Sequence, residues 1–150
     1  KRQPFITQAT DADLLGRAIR WAADVPEGRN QTFNVTNGDE LVWRSCWPAI
    51  AGAFEMEVGE DRPEPLAESM PGRSVEWDAL VRSENLRPFS LDALIGSSWQ
   101  FADAVFGLRG SQDTLLSTVK IRQAGFGECM DTEAMFTRQF EWLRSHRILP

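Results

Sequence analysis

The chain has no tyrosine, a single histidine, two cysteines, and no run of apolar residues long enough to cross a membrane. Each shortage excludes something. Without tyrosine there is no phenol to donate a proton to a developing oxyanion. With one histidine, Ser45, Cys46 and Cys129 are nucleophiles lacking a base, so no hydrolase constellation can be assembled. The cysteines lie in apolar stretches without metal-ligand spacing, which predicts two buried free thiols in a reducing compartment. A net charge of -6 with no basic stripe argues against nucleic acid and anionic membrane surfaces, both of which reward clustered Lys and Arg. Two N-x-T triplets, at Asn30 and Asn34, come without a signal peptide. A cytoplasmic location without glycosylation is therefore expected.

What is present is ordinary for a folded domain: 150 residues, 42% hydrophobic and 25% charged, with six Trp and nine Phe available for a core. Packed alone, such a chain could bury roughly two-thirds of its unfolded surface. The most informative segment is 30–43. Phe33 and Val35 point to one side of a strand, Asn37-Gly38 is a strong turn signal, and Trp43, Trp47, Ile50 and Phe54 then follow a helical stripe. Pro48 must lie near the first turn of that helix or kink it.

Upstream, Phe5-Ile6-Thr7 reads as a short strand. Thr10 or Asp11 then caps a helix with Leu14, Leu15, Ala18, Ile19 and Ala22 at helical spacing, Arg17 and Arg20 on its other face, and a break at Glu27-Gly28. Downstream, residues 59–74 carry three prolines and read as a surface connection. Helices are predicted over 76–85 and over 91–106 capped by Ser90. Leu115-Leu116 reads as a strand before a brief helix capped by Ser117 and stopped by Gly125. Asp131 opens the last helix, whose stripe is Phe136, Phe140 and Leu143. One strand after one helix cannot complete a parallel sheet covered on both faces, so the chain reads as the C-terminal part of a larger layered fold.

The runs Thr10-Asp11-Ala12-Asp13-Leu14-Leu15, Trp21-Ala22-Ala23, Asn30 through Asp39, Trp43 with Trp47, Trp99-Gln100-Phe101-Ala102-Asp103, Lys120 through Phe126, and Arg147-Ile148-Leu149-Pro150 occur in one order. In that order they resemble the extended short-chain dehydrogenase/reductases, in the group of progesterone 5-beta-reductase and iridoid synthase. The resemblance covers nearly the whole chain. It implies an α/β, helix-rich fold: the C-terminal substrate-binding portion of an extended Rossmann-type enzyme, with the N-terminal dinucleotide-binding half missing. Residues 1–58 would complete the sheet, 59–74 would connect, and 75–150 would form a helical substrate lobe.

The same resemblance implies reduction of an apolar enone or carbonyl with NADP(H) or NAD(H) in the full-length protein. The alternatives are a sugar-nucleotide epimerase or dehydratase, or a non-catalytic nucleotide-sensing or interaction protein. No G-x-G-x-x-G follows a strand here and no tyrosine is present, so neither the cofactor motif nor a catalytic residue is expected on this chain. Carried over instead is a substrate wall of Trp99, Phe101, Val105 and Gly107, facing a small apolar substrate. Trp99, Ala102 and Val105 also fit a packing stripe. Gln100 stands where relatives often place a bulky aromatic, which alters the expected substrate preference.

Other polar groups have simpler readings. His146 between Arg144 and Arg147 suits a helix end. Asp11 and Asp13 suit a cap and first turn, and Glu55, Glu57, Glu60 and Asp61 lack a histidine partner for metal. Apolar faces left by a missing half predict self-association or docking of that half. Without a phosphate-binding turn, the isolated 150 residues should bind NADPH no better than millimolar, about 4 kcal/mol; micromolar affinity in a calorimetric titration would contradict the half-fold reading.

Overall fold

A computed structural model describes residues 5–96, 98–106 and 112–150. Among the described residues it is helical, with no strand assigned to a sheet: α1 (Ala12–Asp24), α2 (Trp43–Ala53), α3 (Leu66–Ser69), α4 (Ser74–Ser83), α5 (Leu91–Ile95), α6 (Ser98–Val105), α7 (Val119–Gln123) and α8 (Thr132–Ser145). Contacts group the chain into two compact units, Lys1–Cys46 with Asp113–Phe136, and Trp47–Gln112 with Thr137–Pro150.

In the first unit, Asp11 caps α1 by accepting the Leu14 N–H. The helix stops at Asp24 rather than at the expected Glu27-Gly28. Pro26 forces the residue before it out of helical space, and Val25 is extended at φ -105 and ψ 144. Gly28 has a different role: a Cβ there would lie 2.2 Å from the Ala22 carbonyl oxygen. Leu14 and Ala18 are buried with Ile121 and Phe126, and Trp21, Phe33, Val35 and Met130 pack around them. Trp21 meets Phe33 edge-on at 5.6 Å. Leu15 and Ile19 from the predicted stripe are exposed, so the apolar face of α1 is wider than the surface this unit covers.

Phe33 and Val35 do share a side, but the residues around them form no ladder. Their segment is an extended chain laid on the core. The other two expected strands are likewise unformed: Thr7 makes one isolated antiparallel bridge with Leu41, and Leu115 and Leu116 are exposed. Thr114 N–H reaches the Ile6 carbonyl and Leu116 N–H the Gln8 side chain. α7 follows Thr118, not Ser117, although Ser117 Oγ accepts the Val119 N–H at 3.4 Å. It ends as predicted at Gly125, φ +108. There the Phe126 N–H returns to the Ile121 carbonyl and their side chains join the core, a complete Schellman stop.

In the second unit, Trp47 meets Phe106 edge-on at 5.9 Å and Phe54 meets Phe140 at 5.0 Å. α4 ends at Ser83 because Asn85 takes a left-handed φ of 51 and Leu86 N–H closes on the Val81 carbonyl. The helix predicted over 91–106 is two helices. Ser90 caps α5 as expected, but Gly96 at φ +57 and ψ -134 cannot continue it, and α6 starts afresh. Within 59–74, Leu66–Ser69 form α3, and an ion pair of 3.2 Å joins Glu64 to Arg73.

Two glycines of the first unit should respond oppositely to alanine. Gly28→Ala should destabilise the chain by about 1–3 kcal/mol through overpacking. Gly16→Ala, mid-helix with nothing within 4 Å of the new Cβ, should stabilise it by roughly 0.5–1 kcal/mol. Thermal melts of the two variants check both signs.

Candidate functional site

The polar element Asn34-Val35-Thr36-Asn37-Gly38-Asp39 lies in the first unit, with Thr36 and Asn37 buried. Asn37 is fully buried. Its Oδ1 accepts the Asp11 N–H at 2.6 Å, and its Nδ2 donates to Thr132 Oγ1 at 3.0 Å and to Met135 Sδ at 3.4 Å. Its backbone N–H donates to Ala9 O and its carbonyl accepts from Met130, both at 2.8 Å. One residue therefore satisfies donors and acceptors from the entry to α1, the chain before α8, and α8 itself.

Asp39 completes the arrangement by accepting from Thr132 N–H at 2.8 Å and from Thr132 Oγ1 at 2.6 Å. Asp131 caps the same helix through the Ala134 N–H. Gly38 stands at φ +103, a conformation strained for any residue with a side chain, and Arg122 Nη2 lies 2.7 Å from where a Cβ would stand. Asn34 Nδ2 donates to the Ser117 carbonyl, which engages the nitrogen a glycan would need. The side chains of Asn34, Asn37 and Asp39 are thus engaged in internal hydrogen bonds. Beside it, Thr36 Oγ1 is buried without a hydrogen-bond partner, next to a hollow of about 10 Å³ lined by Val35, Thr118, Ile121, Arg122 and Phe126. That is room for one water and no substrate.

α6 in the second unit differs. Phe101 is 71% exposed, whereas Trp99, Ala102 and Val105 are half-buried. Gly107 lies outside the described residues. Asp103 is the buried residue of this helix, its Oδ1 and Oδ2 accepting the N–H groups of Leu66 and Ala67 at 2.8 and 3.2 Å. Asn37, Thr132 and Asp103 as buried polar anchors are absent from the sequence reading. The available signal was the polar residue at a position where an apolar stripe would continue.

The remaining reactive groups have structural surroundings. Cys46 is buried, and its thiol pKa is raised above the ordinary 9.0 by burial first and then by the charges of Glu133, Asp39 and Asp131. It is held protonated, as a packing group. Cys129 is free but exposed, contrary to expectation, because it sits beside the Gly38 turn at the unit's surface. His146 Nδ1 donates to the Trp142 carbonyl at 2.8 Å and its ring stacks on Trp142 at 4.1 Å, which fits the helix-end reading. Among the described residues no cluster of three His, Cys, Asp or Glu could hold a metal, and no helix is long and apolar enough to cross a membrane.

Comparison of the sequence with known proteins identifies its relatives. An (S)-8-oxocitronellyl enol synthase of Antirrhinum majus is 34% identical over 145 residues, 95% of this chain and 36% of the relative. The CYC1 enol synthase of Camptotheca acuminata is 33% identical over 147 residues. A 3-oxo-Delta(4,5)-steroid 5-beta-reductase of Arabidopsis thaliana is 29% identical over 149 residues, 97% of this chain. The chain belongs to the progesterone 5-beta-reductase and iridoid synthase group. It spans about 36% of the length of these relatives. No family model matches it.

Removing the Asn37 side chain should strand the Asp11 N–H, while the Thr132 hydroxyl keeps its bond to Asp39. Asn37→Ala is expected to cost about 1–3 kcal/mol, since a buried polar group left unpaired costs that much. Urea unfolding measures this, and a loss below 1 kcal/mol would refute the anchoring role.

Proposed function

We propose that the chain is the C-terminal, substrate-binding portion of an NAD(P)H-dependent reductase of the extended short-chain dehydrogenase/reductase kind, acting on an apolar enone or carbonyl compound. The observation that carries this reading is the likeness over 95% of the chain to enzymes whose names specify 8-oxocitronellyl and 3-oxo-steroid compounds. Both are hydrocarbon skeletons bearing few oxygens, and such ligands are held by aromatic walls with few polar anchors. The exposed Phe101 on α6 has that chemistry, and Val105, four residues on, shares its face of the helix; Trp99 and Gly107 enter the proposed wall through the family likeness alone.

The chain's own residues do not fit a dinucleotide. The Asn37-Gly38 turn that leads towards α2 has a single glycine and lacks the glycine-rich pattern of a dinucleotide-binding turn. Its polar groups are already bonded internally. Cofactor and proton donor both belong to the remainder of the parent enzyme, and this chain binds and orients the apolar body of the substrate. The extended segment around Phe33 and Val35, packed on one side and forming no strand ladder among the described residues, suits a strand completing that remainder's sheet.

Exposure makes the wall testable. In the full-length protein, Phe101→Ala should raise KM or lower turnover for an apolar enone, while stability changes by about 0.5 kcal/mol or less, as for a surface site. Truncation of half-buried Trp99 or Val105 should cost stability as well. Melting and steady-state kinetics separate these, and unchanged kinetics for Phe101→Ala would remove it from the wall.

A further inference from the structure

α3 begins with a defect. Its cap position is Pro65, which has no side chain to accept the first N–H groups of the helix, yet those groups need acceptors. Asp103, more than thirty residues further along the chain, supplies them: Oδ1 takes Leu66 N–H at 2.8 Å and Oδ2 takes Ala67 N–H at 3.2 Å. Asp103 is 2% exposed and uses both oxygens in this way. The chemistry is specific to a carboxylate. An amide keeps one acceptor and turns a donor towards a donor.

Helical geometry ties this cap to Phe101. Residues two apart on an α-helix point roughly 200° from one another, so the direction that holds Asp103 inward holds Phe101 outward, as its 71% exposure shows. α6 has only eight residues, too few to be stable through its own hydrogen bonds. Its rotation is set by tertiary contacts, among them the pair of hydrogen bonds from the Leu66 and Ala67 N–H groups to the Asp103 carboxylate. The Glu64–Arg73 ion pair joins the two ends of the stretch that contains α3.

We propose that Asp103 is a positioning residue for the substrate wall: by capping α3 with both carboxylate oxygens, it fixes the rotation of α6 that presents Phe101. This rests on the substrate-wall reading of Phe101. Asp103 does not touch substrate. Its loss loosens the wall and leaves the chemical step intact.

The test compares Asp103→Asn, Asp103→Ala and Phe101→Ala in the full-length protein by amide hydrogen exchange and by steady-state kinetics with an apolar enone. In Asp103→Ala the Leu66 and Ala67 amides should exchange at least about tenfold faster, and KM should rise about threefold or more while kcat stays within roughly twofold. Asp103→Asn, nearly isosteric and keeping one acceptor, should fall between wild type and Asp103→Ala in both readouts. Unchanged exchange at Leu66 and Ala67 overturns the cap. Faster exchange with unchanged KM, in a protein where Phe101→Ala does raise KM, overturns the positioning role alone. If Phe101→Ala leaves both KM and turnover unchanged, the wall reading falls and the positioning role with it.

Discussion

The first unit depends on the side-chain amide of one buried asparagine. Asn37 can do what few residues can: present an acceptor in one direction and two donors in another, while its backbone bonds on both sides. Its partners come from the entry to α1, the loop before α8 and α8 itself, the last 95 and 98 positions along the chain from Asn37. An apolar residue of the same size would fill the volume and leave those groups unpaired, which costs more than the hydrogen bonds contribute. Asp39 and Gly38 are consequences of the same constraint. The first ties Thr132 into position beside Asn37, and the second provides the left-handed turn between them under the Arg122 guanidinium.

This divides the two motifs that mark the family. In the run Asn34 through Asp39, Asn34, Asn37 and Asp39 are engaged in internal hydrogen bonds, so these residues serve the fold. The Trp99 to Asp103 run is split along its length. Asp103 is buried against the α3 amides, Trp99 and Ala102 are half-buried, and Phe101 projects outward. A helix with one anchored and one free face is suited to meeting a ligand. The two motifs also lie in different units, so loss of one should leave the other's local structure intact.

Local signals were legible where the chemistry is local. Asp11, Ser90 and Asp131 cap the helices they were expected to cap, Gly125 stops α7, and the alternation of Phe33 and Val35 reports the covered side of their segment. Strands were not legible, because period-two patterning shows which face is covered but not whether a neighbour supplies the ladder. Gly96 inside an apolar helical pattern was missed because a left-handed glycine leaves no mark on periodicity. Cys129 was expected inside from its apolar flanks, but its place beside the Gly38 turn puts it at the surface. In the candidate site, the aromatic of α6 was legible through family likeness. The roles of Asn37, Thr132 and Asp103 were not, since long-range side-chain pairing has no sequence period.

The central claim is that α6 meets an apolar substrate whereas the Asn34–Asp39 element serves only the fold. Photoaffinity labelling tests it most directly: the full-length protein, with NADPH present, is irradiated with a diazirine-bearing apolar enone and the modified peptides are mapped. The account predicts label at residues 98–106, centred on Phe101, that is displaced by excess unlabelled enone. Displaceable label at residues 34–39, with none on α6, would contradict it.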